Sequence, residues 1–332
     1  MNKPFDVIAT LGPSASTLEQ ITALRNQGVT VVRINGAHNC PESMDKTIKR
    51  IKAYELGIKI MVDLPGNKIR VANLEYPIKI EKGKSFRLES SQVNYNGFFK
   101  KIKKGAKISA YDSRYTFELM DVEDHALVLK SDTTGVIENN KGLHIDSIQD
   151  EMNFVFEKDR RLINVALDNE IDYLAISFVR RADDIRDIKE IIGGRKIHLI
   201  SKVETRQGVE NIEDITREVD TILIDRGDLS SAVGLLDIVA CEEEIVKKAR
   251  GKKDVKIWLA TQFLTTMLNS PIPSIAEVFS LHKVISEGID GIQLSEETAV
   301  GEHGCKCVQV ILDVYKKLLS VKTKQVLQLE YV

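Results

Sequence analysis

The stretch Ile197-His198-Leu199-Ile200-Ser201-Lys202-Val203-Glu204 decides how the chain is read. Its mostly apolar run is that of a buried strand in a parallel sheet, and it ends in a lysine and a carboxylate. Side chains two apart on a strand share a face, so Lys202 and Glu204 are expected side by side at the strand tip. A little further on, Thr221-Ile222-Leu223-Ile224 leads into Asp225-Arg226-Gly227-Asp228 in the same way.

The same unit of apolar run, polar tip and amphipathic stretch recurs along the chain. Residues 5–9 are followed by Thr10-Leu11-Gly12-Pro13-Ser14, and residues 29–32 are tipped by Arg33, Asn35 and His38. Residues 59–62 are tipped by Asp63, Lys68 and Arg70, and residues 171–176 by Ser177, Phe178 and Arg180. Residues 257–260 precede Thr261 and Gln262; residues 291–294 precede Ser295, Glu297 and Thr298. Between them the helical period is clear. Ser16 with Glu19 and Ser274 with Glu277 have capping-box spacing. Gly28 closes the first helix, and Pro41 opens the second, with Met44, Ile48 and Ile51 on one face and Gly57 beyond it. Further helices are predicted over 159–169, 183–192, 236–249 and 306–319.

From 71 to 141 the texture changes to short alternating segments joined by Lys82-Gly83 and Lys104-Gly105, which predicts an inserted all-β unit. With it removed, eight strand–helix units and roughly 260 residues remain, the size of a (β/α)8 TIM barrel. The predicted fold is therefore α/β: a barrel over 1–70 and 142–332, with a small all-β domain (71–141) inserted after the third strand. A doubly wound open sheet is the alternative. The absence of a G-x-G-x-x-G turn after the first strand argues against a dinucleotide fold.

Composition narrows the function. The chain has 332 residues, 43% hydrophobic and 29% charged, with a net charge of -2. That balance gives no support to nucleic-acid binding. The one dense basic run, Lys100-Lys101-Ile102-Lys103-Lys104, is expected to be a solvated hairpin. Four cysteines (Cys40, Cys241, Cys305, Cys307) make no disulfide framework and no zinc spacing, so neutral thiols in a reducing compartment are expected. With no signal core and no membrane-length apolar run, a cytoplasmic protein is expected.

In a barrel the strand tips share one mouth. Glu204 and Asp228 there are few, hard oxygen ligands, which suits Mg²⁺ or Mn²⁺; spacing alone equally allows rim salt bridges. Lys202 and Arg33 beside such an ion would form a cationic nest for a phosphorylated anion. The Arg226-Gly227-Asp228-Leu229 turn can offer backbone N–H groups to a carboxylate. The residues alone thus describe a metal-assisted site for a small phosphorylated acid.

Eight stretches, in order, resemble the pyruvate kinase family. They are Thr10-Leu11-Gly12-Pro13-Ser14, Arg33-Ile34-Asn35-Gly36-Ala37-His38, Asp63-Leu64-Pro65-Gly66 through Arg70, and Ile176-Ser177-Phe178-Val179-Arg180. Then come Ile200-Ser201-Lys202-Val203-Glu204, Arg226-Gly227-Asp228-Leu229, Ala260-Thr261-Gln262 and Leu294-Ser295-Glu296-Glu297-Thr298-Ala299. The resemblance implies that Glu204 and Asp228 hold the divalent metal and that Lys202 stabilises the phosphoryl group in flight. It further implies that Arg33, supported by Arg70, binds phosphate. The backbone at Gly227 and Asp228 would take the substrate carboxylate, Ser177 would bind substrate, and Thr261 would lie at the enolate. Asn35 and Asp63 match a monovalent-cation corner. Lys141 and Asp112 match lid residues over the nucleotide.

The departures from the family pattern are specific. Ala37, Leu64 and Lys68 stand where potassium-dependent members carry serine, threonine and glutamate, so Lys68 is read as a tethered replacement for K⁺, and K⁺ is not expected to be required. Asp225 stands where relatives have alanine, and would repel a substrate carboxylate unless Arg226 or another cation pairs with it. Ser230 and Glu296 replace glycines. The chain stops soon after the eighth unit, so the family's C-terminal allosteric domain, and effector regulation with it, are not expected; a homodimer through the barrel is compatible with the resemblance. The leading reading is phosphoryl transfer between phosphoenolpyruvate and a nucleoside diphosphate. The alternatives are a metal-dependent lyase or transferase acting through the enolate of a different 2-oxo acid, and a non-catalytic metal- or phosphoenolpyruvate-binding regulator.

Overall fold

The computed structural model describes residues 5–95, 97–110, 114–145, 152–251 and 255–329. The chain runs β1 (Asp6–Thr10), α1 (Leu18–Gln27), β2 (Val31–Asn35), α2 (Pro41–Ala53) and β3 (Lys59–Asp63). It then passes through β4 (Ile69–Arg70), β5 (Ile78–Ile80), β6 (Ser85–Glu89), β7 (Lys107–Ala110), β8 (Tyr115–Glu123), β9 (Ala126–Ser131), β10 (Gly135–Ile137) and β11 (Gly142–Ile145). Alternation resumes with α3 (Glu157–Asp168), β12 (Tyr173–Ile176), α4 (Ala182–Ile192), β13 (His198–Val203), α5 (Arg206–Glu210), α6 (Ile212–Ile215) and β14 (Thr221–Asp225). It ends with α7 (Arg226–Val233), α8 (Ile238–Arg250), β15 (Lys256–Ala260), α9 (Ile275–Ser286), β16 (Gly291–Leu294), α10 (Glu296–Ala299) and α11 (Gly304–Leu329).

Eight parallel strands close a barrel in the order β1-β16-β15-β14-β13-β12-β3-β2. Each apolar run read from sequence is one of these strands, which disposes of the open-sheet alternative. The strands bury both faces because helices cover the outside while side chains fill the inside. Ile8, Val31, Met61, Tyr173, Ile200, Leu223 and Trp258 form the inner core. Gly291, paired with Trp258, makes room for the indole: a Cβ there would lie 2.8 Å from Trp258 Cδ1. At the closure Thr10 N donates to Thr298 Oγ1 (2.9 Å) and Thr298 Oγ1 donates to Thr10 O (3.0 Å). The first and last of the family stretches thus fasten the seam between β1 and β16.

The inserted unit is a six-stranded antiparallel sheet, β4-β11-β7-β8-β9-β6, beside the pair β10-β5, over its own apolar cluster. It draws in Ile69–Arg70 and Gly142–Ile145, just outside the 71–141 read from texture, because the outgoing and returning segments pair with each other (Gly142 with Arg70, Leu143 with Ile69). The lysine run is exposed as expected, but a 3-10 turn (Gly97–Lys100) and buried Ile102 replace the expected hairpin. The first capping box also moves by one residue. Thr17 accepts from Gln20 N and Gln20 Oε1 accepts from Thr17 N, since Ser16 turns its hydroxyl back to Pro13 O. Ser274 and Glu277 form the second box as expected. Among the described residues no helix is long and apolar enough to cross a membrane. All four cysteines are free, and burial pushes the Cys307 thiol up to about 12.

Asp159, in the first turn of α3, ties both crossings of the insert together by accepting from Gly66 N (3.1 Å) and Phe156 N (3.1 Å). Burial nevertheless pushes its carboxyl up to about 6, against an ordinary value of 3.8. A carboxyl raised on folding holds its proton more tightly in the folded chain, so this group's contribution falls as pH rises from about 4 through 6. The expected loss is on the order of 2–3 kcal/mol. Urea midpoints at pH 4.5 and 7 should therefore shift in favour of Asp159→Asn at the higher pH. Parallel pH profiles for the two proteins would contradict this.

Candidate active site

β13 delivers Lys202 and Glu204 to the barrel mouth on one face, as the period of two requires. The Lys202 ammonium is buried and lies 2.7 Å from Glu204 Oε1, 3.3 Å from Asp63 Oδ2 and 3.4 Å from Asp225 Oδ2. It also donates to Ser177 Oγ (3.2 Å). Burial by itself would lower its pKa, but Asp63, Glu204 and Asp225 outweigh burial and hold it above the ordinary lysine value. A permanent positive charge therefore sits at the centre of the mouth.

Around it the carboxylates differ. Burial, reinforced by Asp228 and Asp225, pushes Glu204 up to about 8 even with Lys202 beside it. Asp63 is buried and Asp228 only partly so; Lys202 and Arg33 hold the first below the usual carboxylate range, and Lys68 the second. Arg33 makes a buried pair with Asp63 (Nε to Oδ2, 2.7 Å) and donates to Thr10 Oγ1 (3.0 Å). Glu204 Oε2 accepts from the backbone N–H of Phe178 (2.7 Å), a residue held at φ +57°.

The donor set fits a hard divalent ion. One oxygen each from Glu204, Asp225 and Asp228 lie within 4.8 Å of one another. Glu204 Oε1 is buried and faces the Lys202 ammonium at 2.7 Å. An all-oxygen set of this kind suits Mg²⁺ or Mn²⁺. Glu204 and Asp228 were expected in it, and Asp225 is an addition.

Asp225 is not bare, as a poor fit for an acid substrate would require. Its partner is Lys202 rather than Arg226, and its Oδ1 faces the Thr261 hydroxyl at 3.2 Å. Arg226 instead turns to the backbone of Thr261 and Gln262. Gly227 N donates to Thr261 Oγ1 (2.9 Å), so in this arrangement the N–H expected to grip a substrate carboxylate holds Thr261.

Lys68 enters from the loop after β3, and its ammonium rests on Asp228, 5.7 Å over the Phe178 ring. The tethered charge thus meets the divalent set rather than Asp63, which Arg33 and Lys202 occupy. Asn35 Oδ1 accepts from Ala37 N (3.0 Å), so its amide shapes the turn after β2. Arg180 is structural: it pairs with Asp184 (3.0 Å) and donates to Met152 O, anchoring the return from the insert.

Between the insert and the mouth lies a cleft of about 380 Å³. Lys68, Arg70, Arg114 and Lys141 line its insert side, and Asp225, Asp228, Glu296 and Glu297 its barrel side, with Thr261 at the floor. Arg70 and Lys141 thus line one cleft, and Arg70 also donates to Asn140 O (3.2 Å). Asp112 lies outside the described residues. Arg114 carries no sequence signal, being a single arginine in a turn of the insert. The left-handed backbone at Thr261 (φ +69°) and Gln262 (φ +56°) had no sequence signal either, since neither is glycine.

The fold and site together define a (β/α)8-barrel protein whose mouth is built for a divalent ion and an anionic ligand beneath a basic flap. The family model "Pyruvate kinase, barrel domain" matches residues 2–308. A pyruvate kinase of Borreliella burgdorferi is 30% identical over 329 residues, covering 96% of this chain and 69% of that protein. One of Thermotoga maritima is 29% identical, covering 94% of this chain and 70% of that protein. For one of Thermoplasma acidophilum the figures are 28%, 93% and 57%. The chain belongs to the pyruvate kinase family.

Proposed function

We propose that the protein transfers a phosphoryl group between phosphoenolpyruvate and a nucleoside diphosphate, with pyruvate and the triphosphate as the other pair. The observation that carries this is the buried, permanently charged Lys202 in contact with Glu204 and Asp225, beside a cleft that Asp225, Asp228 and Thr261 line together with the basic residues Lys68, Arg70, Arg114 and Lys141. Phosphoryl transfer needs charge neutralisation and positioning rather than covalent help from the protein. Lys202 neutralises the group in flight, Arg33 and Arg70 orient its oxygens, and Ser177 fixes the lysine. Thr261 holds a hydroxyl proton at the carbon that becomes the methyl group. Glu204, Asp225 and Asp228 would hold Mg²⁺ or Mn²⁺, which would supply positive charge to an anionic substrate. Lys141 and the inserted unit close over the nucleotide. The alternative of a different 2-oxo acid draws on Asp225 and Glu296; the ion pair of Asp225 with Lys202 speaks against the first, while Glu296 lines the cleft.

Lys68 stands where potassium-dependent relatives are expected to carry glutamate, which is the ground for turnover without K⁺, although its ammonium rests on Asp228 and not at the Asn35–Asp63 corner. Pyruvate release from phosphoenolpyruvate and ADP, measured in tetramethylammonium buffer with and without added KCl, should differ less than about twofold; a strong K⁺ requirement would refute the role of Lys68. A cytoplasmic setting and a homodimer through the barrel complete the reading, both supported by family membership.

A further inference from the structure

Thr261 and Gln262 stand consecutively at positive φ (+69° and +56°) immediately after β15, and one of them is β-branched. Non-glycine residues persist there only where their surroundings over-determine the backbone. One side chain holds the carbonyls of both, while the Thr261 hydroxyl also donates to Ala260 O (2.7 Å). Arg226 donates to Thr261 O through Nη2 (2.9 Å) and Nε (3.2 Å), and to Gln262 O through Nη2 (2.9 Å). Its Nη1 reaches Ser280 Oγ on α9 (3.3 Å), and the guanidinium carbon lies 3.9 Å from the Phe263 ring centroid. The two residues flanking Arg226 hold the other end of the same threonine. Gly227 N donates to Thr261 Oγ1 (2.9 Å), and Asp225 Oδ1 lies 3.2 Å from it. One short segment thus grips Thr261 by backbone and by hydroxyl.

We infer that Arg226 is a positioning residue for Thr261, clamping the left-handed Thr261–Gln262 pair so that the threonine hydroxyl faces the mouth. The inference rests on the role given to Thr261 in the proposed function. A planar fork stacked on an aromatic ring serves two carbonyls at once, and an ammonium does not reproduce it. Gly227 is part of the same device through its N–H, which donates to Thr261 Oγ1 (2.9 Å).

The test compares wild type, Arg226→Ala, Arg226→Lys and Arg226→Ala/Gln262→Gly by pyruvate and ATP formation and by Mn²⁺ binding. Misplacing a reacting group by about an ångström costs on the order of 10²-fold. Arg226→Ala should therefore lose about 100-fold in kcat, while KM for phosphoenolpyruvate and Mn²⁺ affinity stay within about threefold. Non-denaturing guanidinium should restore about tenfold of that loss, and Arg226→Lys should resemble Arg226→Ala. Gln262→Gly, which accepts positive φ without strain, should recover about tenfold in the Arg226→Ala background. A kcat for Arg226→Ala within twofold of wild type overturns the inference. So does a joint collapse of kcat and Mn²⁺ affinity that neither guanidinium nor Gln262→Gly relieves. If Arg226→Ala does not fold, Arg226→Lys with and without Gln262→Gly decides: reduced kcat at constant KM with recovery supports the clamp, and unchanged kcat overturns it. A wild-type protein without turnover would overturn the proposed function and this inference with it, whereas an active wild type with indifferent Arg226 variants overturns the clamp alone.

Discussion

Lys202→Met should lower phosphoryl transfer roughly 10²–10³-fold or more while leaving Mn²⁺ binding in place. Among the described residues the lysine is the one cation in contact with Asp63, Glu204 and Asp225 at once, and it is buried from water. Its loss strips a preorganised charge from the position where phosphoryl charge develops. It also leaves Glu204 and Asp225 short of a cation, and breaking a buried ion pair commonly costs about 3–5 kcal/mol. Mn²⁺ supplies the missing charge, so it should raise the melting temperature of Lys202→Met more than that of the wild type. Coupled pyruvate formation and thermal melts with and without Mn²⁺ check both parts. Undiminished turnover would remove Lys202 from the mechanism.

The second large effect is expected at Glu204. Glu204→Gln keeps the volume and an acceptor for Phe178 N–H, so the strained backbone at Phe178 keeps its tether. What it removes is one of the three carboxylates that converge within 4.8 Å. Even residues that merely support metal ligands cost about 10–100-fold in affinity when replaced, so Mn²⁺ binding should weaken by at least that much. Free Mn²⁺ titrated by its paramagnetic resonance signal, with the protein in substrate-free buffer, reads this directly. Wild-type affinity in Glu204→Gln would show that the ion sits elsewhere.

The barrel was legible because a parallel strand buried on both faces writes itself as an apolar run, and each run here ends in polar residues that the topology carries to one mouth. Lys202 and Glu204 follow from a period of two, and the structure places them 2.7 Å apart. Partner choice was not legible. Asp225 and Arg226 are adjacent in sequence, yet their side chains go separate ways, Asp225 to Lys202 from β13 and Arg226 to carbonyls after β15. Such pairings depend on which neighbouring strand lies on which side, and local spacing does not encode that. Lys68 shows the same limit: its type announced a charge in the mouth, and only the path of the loop after β3 sets that charge on Asp228. The stretches around Thr10, Arg180 and Thr298 fasten the seam and the insert, and Thr10 accepts from Arg33 as well.

The central claim is that this mouth passes a phosphoryl group from an enol phosphate to a nucleotide, and phosphorus NMR tests it most directly. Phosphoenolpyruvate and ADP with Mg²⁺, in K⁺-free buffer, should lose the enol phosphate resonance and gain the γ-phosphate of ATP in equal amounts, and Lys202→Met should do neither. Loss of phosphoenolpyruvate with inorganic phosphate and no ATP, or an unchanged spectrum while Mn²⁺ binds at Glu204, would contradict the account.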